Sequence, residues 1–395
     1  MTRMIIALLV AVAALSTHAQ RSSSTLCQTV SAPTEVDFVT LRLLGCGEGF
    51  PDNVLWHLDR ADSRTGVLDG RTTLPTTGNG AVVYVCDTGV MRDHDEFARS
   101  TGSNVIGALR PSGALTCGNG RDPALDPCFF EAVTLFLHTH GTAVASMIAG
   151  RNTGVAPDAK IVSVYTFVDG SAVWHEALNQ IIRHAWDSGA SPYQTSIINM
   201  SNTPSPAVLQ NTDQYLARIR DMTNGVDREG RPDPNGKRFF FTVSAGNTNA
   251  GGSQAICAGH LPGAAGQSID GLMTVGAIDR TNHLWSGSCA GAEVEILAPG
   301  ADVLVASISA RNQYRSGDLR IGGIPGNSGT SYAAPYVAGI AALLLETNPT
   351  LTPQQLETMI KTRASQTANA DQTTASGRVA IYPAPSQNRR RAVRH

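Results

Sequence analysis

Gly329-Thr330-Ser331-Tyr332-Ala333-Ala334-Pro335-Tyr336-Val337-Ala338-Gly339 sets a serine between small residues at the mouth of an apolar helix. Small neighbours let another backbone approach the hydroxyl. The first turn of a helix adds N–H groups without intrahelical acceptors and the positive end of a dipole. Both suit a nucleophile whose attack creates an oxyanion. Pro335 is read as part of that first turn, where a missing N–H is tolerated. Val337 to Leu345 is apolar on nearly every side, which predicts a helix buried through the middle of a domain. Taken alone, Gly-Thr-Ser reads as a loop and helix cap, since Ser and Thr are favoured N-caps. Partners elsewhere in the chain decide between the two readings.

An unassisted serine is a poor nucleophile; it needs a histidine base oriented by a carboxylate. Ala81-Val82-Val83-Tyr84-Val85-Cys86 reads as a buried strand, and it ends in Asp87-Thr88-Gly89. Asp87 thus falls at a strand's carboxyl end, the edge where sites assemble in open α/β sheets. His140-Gly141-Thr142-Ala143-Val144-Ala145 opens a second small-residue helix, which places the His140 imidazole at a helix start. His138, two residues earlier, could suggest a metal pair, but no Cys or His cluster of zinc spacing accompanies it. Phe240-Phe241-Thr242-Val243-Ser244-Ala245-Gly246-Asn247 is an apolar strand ending at an asparagine. An amide donor there can stabilise a tetrahedral oxygen, although Gly-Asn after a strand is also an ordinary turn.

These four segments, Asp87, His140, Asn247 and Ser331, resemble the motif blocks of the subtilisin-like serine proteases of the proteinase K type. The chain order Asp, His, Ser is that of subtilisin and not of chymotrypsin, and the serine lacks the Gly-x-Ser-x-Gly elbow of α/β-hydrolases. The resemblance spans roughly Asp52 to Ala364. It implies an α/β, doubly wound, mainly parallel sheet with helices on both faces. It implies a secreted endopeptidase acting on polypeptides through Asp87, His140 and Ser331, with Asn247 in the oxyanion hole. By the same likeness Asp169, Gly170 and Ser171 pair with substrate, although a plain strand-to-helix turn fits them as well. Ser201, Asn202, Thr203, Ser244, Ala245 and Gly246 wall the primary pocket, where Thr203-Pro204 departs from the family's glycines. No cofactor is needed for chemistry. Structural calcium is compatible with the family, but no EF-hand pattern names its ligands. A rival reading, a catalytically silent binding protein on the same fold, would be signalled by a lost triad residue, and none is lost.

The remaining composition fits an exported enzyme. Arg3 and the apolar run Met4–Leu15, too short to span a bilayer, read as a signal peptide ending near Ala19, with an uncleaved anchor as the alternative. Seven cysteines in such a chain imply disulfides and at least one free thiol. Cys86, inside the apolar strand, is the candidate free thiol. Cys257–Cys289 resembles a bridge of some proteinase K relatives, leaving Cys117–Cys128 and Cys27–Cys46 as hypothetical pairs. A net charge of −2 gives no nucleic-acid signature. No segment beyond the leader suggests stable membrane insertion, and a monomer is expected. The expected division is 1–19 signal peptide, 20–51 a short extension or pro-segment, 52–364 one catalytic domain, and 365–395 a polar, basic tail. Within the domain, strands are expected at Ile161–Val168, Ser196–Ser201, Met273–Ala277 and Val294–Ala298. Helices are expected at Val173–Trp186, Ala207–Met222 and Leu351–Arg363.

Overall fold

In the computed structural model, residues 34–37, 55–70, 72–110, 135–166, 171–201, 211–248, 261–306, 313–316, 328–366 and 377–382 are described. The elements in chain order are β1 (Thr34–Asp37), α1 (Trp56–Asp62), β2 (Val82–Asp87), β3 (Ala98–Arg99), β4 (Gly102–Ser103) and β5 (Val105–Leu109). Then come α2 (Leu135–Ala149), β6 (Lys160–Tyr165), α3 (Ser171–Asp187), β7 (Thr195–Met200), α4 (Thr212–Asn224) and β8 (Arg238–Ser244). The last third holds β9 (Leu272–Ile278), β10 (Ile296–Pro299), β11 (Val305–Ala306), β12 (Gln313–Ser316), α5 (Thr330–Thr347), α6 (Pro353–Arg363), β13 (Ser365–Gln366) and β14 (Arg378–Val379).

The main sheet runs β13-β14-β10-β9-β8-β7-β2-β6-β5, parallel throughout except for the antiparallel β13–β14 pair. Why it needs helices on both faces is written in β2. Its side chains alternate: Val83 and Val85 enter one core with α2, α5 and α6, whereas Val82, Tyr84 and Cys86 enter another with α3 and α4. A strand buried on both sides has no polar face, so it reads as a continuous apolar run. Each fully buried Val, Leu or Ile contributes about 1.5–3 kcal/mol, and nearly every position of β2, β7, β8 and β9 is buried. The fold is therefore the expected doubly wound α/β sheet.

Several boundaries move. Arg378–Val379 pairs in parallel with β10, and Ser365–Gln366 closes antiparallel on it, so part of the stretch read as a solvated tail belongs to the sheet. Its strands are only two residues long, too short for periodicity to reveal. Helix α2 starts at Leu135, five residues before His140. His140 therefore lies in the second turn and not at a helix start. Leu135-Phe136-Leu137 contains no Gly or Pro to stop a helix from extending backwards. Within the 20–51 segment, β1 pairs antiparallel with β12, which pairs with β11. The leader, the remainder of 20–51, Cys27, Cys46, Cys117, Cys128 and Cys257 lie outside the described residues.

Candidate active site

The carboxyl ends of β2, β7 and β8 converge with α2 and the start of α5. Asp87, the last residue of β2, is wholly buried and accepts the Thr88 N–H on Oδ1 at 2.7 Å. His140 Nδ1 lies 2.9 Å from Asp87 Oδ1 and 3.0 Å from Oδ2. An ionised carboxylate only accepts, so this contact assigns the proton to Nδ1 and leaves the Nε2 lone pair outward. Burial alone would lower the His140 pKa, but the charge and hydrogen bond of Asp87 outweigh it, and the net shift is upward from 6.5. The His140 side chain keeps 28% exposure, so a substrate can reach it.

Helix and strand ends meet here by backbone contact. Gly141 N donates to Thr88 Oγ1 at 3.0 Å, and a Cβ at Gly141 would sit 2.2 Å from the Gly89 carbonyl oxygen. Only glycine allows α2 to lie this close to the turn after β2.

Across the cleft, Asn247 Oδ1 accepts two hydrogen bonds from Thr330, one from N at 3.0 Å and one from Oγ1 at 3.0 Å. Thr330 Oγ1 in turn accepts Gly246 N at 3.1 Å. With its oxygen fully engaged, the Asn247 carboxamide presents Nδ2 as its remaining donor. Thr330 is the residue that sequence reasoning passed over, although it lies beside Ser331; its type suggested a cap, and only the fold reveals the clamp. Ser331 lies in the first turn of α5, where its N–H has no intrahelical acceptor. Its Oγ donates to the Ser201 carbonyl at 3.2 Å, and no hydrogen bond joins it to His140 in this state. Ser244 Oγ donates to the same carbonyl at 3.4 Å.

Pro335 is not in the first turn. Helix α5 begins at Thr330, which makes Pro335 its sixth residue. The N–H that Pro335 lacks would have met the Ser331 carbonyl four residues earlier.

Of the residues expected to bind substrate, Ser201, Ser244, Ala245 and Gly246 lie beside Ser331 and Asn247 along the ends of β7 and β8. Ser171 opens α3. Asp169, Gly170, Asn202 and Thr203 lie outside the described residues. Cys86 is a free, fully buried thiol whose pKa burial pushes up, first by desolvation and then by Asp87. Cys289 is buried too, and its suggested partner Cys257 lies outside the described residues. His138 belongs to α2. Among the described residues no group of three or more His, Cys, Asp or Glu is placed to hold a metal. None of their helices is long and apolar enough to cross a membrane.

A doubly wound parallel sheet that carries an Asp-His pair and a helix-borne serine, in that chain order, defines the subtilisin-like class. The chain belongs to the subtilase family, Peptidase_S8, whose pattern matches residues 78–379. Among curated proteins it is 30% identical over 315 residues to "Subtilisin-like protease 3" of Pseudogymnoascus destructans, covering 78% of this chain and 63% of that one. It is 29% identical to "Alkaline serine exoprotease A" of Vibrio alginolyticus, covering 79% of this chain and 47% of that one. The "Extracellular serine proteinase" of Thermus sp. is also 29% identical, over 76% of this chain and 59% of the relative. The chain thus spans between about half and just under two thirds of the length of these relatives. A solved cold-adapted subtilisin-like serine proteinase superposes with a TM-score of 0.59 at 26% identity, over 84% of this chain and 98% of that one.

Proposed function

We propose that this chain is an exported serine endopeptidase that hydrolyses peptide bonds of polypeptides. The observation that carries the reading is the buried Asp87 carboxylate bonded to His140 Nδ1 at 2.9 and 3.0 Å, which leaves Nε2 as an outward base. A turn about the Ser331 Cα–Cβ bond takes Oγ from the Ser201 carbonyl toward that base. Ser331 Oγ then attacks the scissile carbonyl while His140 Nε2 takes its proton, and Asp87 stabilises the imidazolium. The developing oxyanion is met by Asn247 Nδ2 and the Ser331 N–H, donors that Thr330 and the helix start hold in advance. Collapse expels the amine with the proton from His140. Water, deprotonated by the same imidazole, then resolves the acyl-enzyme. Export is supported by the leader-like residues 1–19, and relatives carry "extracellular" in their names.

The test is hydrolysis of an unfolded protein by the full chain and by Ser331→Ala, with fluorophosphonate labelling read by peptide mass. Cleavage and a label on Ser331, both absent in the variant, are expected. A folded wild-type chain that neither cleaves nor labels would overturn the proposal and leave a silent binding protein.

A further inference from the structure

We propose that Asn199 is a positioning residue for Ser331, acting through the Ser201 hydroxyl; the proposal rests on Ser331 being the nucleophile. It begins with the Ser331 carbonyl, which Pro335 leaves without its helical donor. A helix carbonyl that loses its i+4 donor needs another partner, and Ser201 Oγ supplies it at 2.7 Å. Ser201 Oγ is not free to choose. It accepts Asn199 Nδ2 at 2.9 Å, so its single proton is directed to Ser331 O. The Asn199 amide is oriented in turn: its Oδ1 accepts Thr242 Oγ1 at 3.1 Å. Asn199 and Thr242 are register partners on β7 and β8, and both are completely buried. The chain of donors therefore runs one way, from Thr242 through Asn199 and Ser201 to the backbone of Ser331.

The consequence is that Ser331 hangs between two anchors. Thr330 is tied to Asn247 on one side, and the Ser331 carbonyl is tied to the sheet on the other. The helix itself cannot supply the second tie, because its donor position is a proline. Rate should depend on this tie even though Asn199 touches no substrate, since the positions of Oγ and of the Ser331 N–H both follow the peptide it holds.

The experiment measures kcat, KM and the pH profile on a peptide substrate for the full chain, Asn199→Asp, Ser201→Ala and the double variant, beside thermal unfolding. Asn199→Asp is nearly isosteric but offers Ser201 an acceptor in place of a donor, so the hydroxyl turns away from Ser331. The expected result is a kcat lower by about tenfold in either single variant, matching one net hydrogen bond. KM stays put in Asn199→Asp, whose side chain is buried behind the pocket wall, and the acid limb stays put in both single variants, because the Asp87–His140 pair is untouched. The double variant is expected to be no slower than Ser201→Ala alone, because both act on one chain of bonds. Wild-type kcat in a folded Asn199→Asp, or multiplying losses in the double variant, would overturn the proposal. If Asn199→Asp fails to fold, wild-type kcat in Ser201→Ala overturns it by itself. An inactive wild-type chain would overturn the peptidase reading and this proposal together.

Discussion

Substituting Gly141 with alanine inserts one methyl group between the two backbones that hold the Asp87–His140 pair. The added Cβ would lie 2.2 Å from the Gly89 carbonyl oxygen and 3.1 Å from Gly89 N and C, whereas real Cβ atoms essentially never come within 3.0 Å. The obstacle is backbone, so no rotamer relieves it. Gly141 has no left-handed φ, so the penalty is steric alone. Helix α2 and the turn after β2 must separate by about 0.8 Å to reach that closest approach. His140 adjoins Gly141, and Asp87 is two residues from Gly89, so the bonds of 2.9 and 3.0 Å open with them. At about 3.7 Å they are no longer hydrogen bonds. A misplacement of about 1 Å at such a site costs about 10²-fold in rate. Measured as kcat/KM against pH on a peptide substrate, Gly141→Ala should lose about that factor. Its acid limb should also move to lower pH, because His140 loses the upward push of Asp87. A folded variant with wild-type kcat/KM and an unmoved acid limb would refute the reasoning.

Asp87→Asn should act on the same histidine electrostatically. The folded His140 pKa lies above its unfolded value near 6.5, so the pair contributes stability that is full below that pH and fades as pH rises through the folded pKa. Asp87→Asn is therefore expected to cost more stability in acid than in alkaline urea titrations, and a pH-independent loss would contradict it. His57 has the opposite sign. It is fully buried on α1, donates from Nε2 to Thr153 O at 2.9 Å, and burial pulls its pKa from 6.5 to about 4. Its contribution is present above the unfolded pKa and is lost as pH falls to the folded one, in total about 3 kcal/mol. His57→Gln should flatten the acid-side loss of urea midpoint between those two values, and an unchanged slope would count against it.

The sequence disclosed most where chemistry and local structure coincide. Asp87 and Asn247 follow apolar strands, and Ser331 opens an all-apolar helix, so strand ends and helix mouth could be read directly. It disclosed least where a role depends on a distant backbone. Thr330, Asn199 and Thr242 look like ordinary polar residues of a cap or strand, because Thr330 meets Asn247 83 residues away and Asn199 meets Thr242, 43 residues away, only through sheet register. Pro335 belongs with them. Its place in the helix depends on where α5 starts, which propensity leaves open, and its effect falls on a carbonyl that the sheet must satisfy. The two-residue strands β13 and β14 carry no period at all, and pairing with β10 alone makes them strands.

Helix α5 is enclosed from Tyr332 to Leu345, against the sheet on one side and α2 and α6 on others. It has no exposed face along which to fray, so the serine it carries leaves its place only when the shared core opens. For the proposed peptidase, this separates predator from prey. A molecule open enough to be threaded into a neighbour's cleft has already taken apart its own cutting apparatus, and an intact one offers no slack chain there to cut. Digestion at this helix then requires two molecules in different states to meet, which makes it a bimolecular loss that dilution slows.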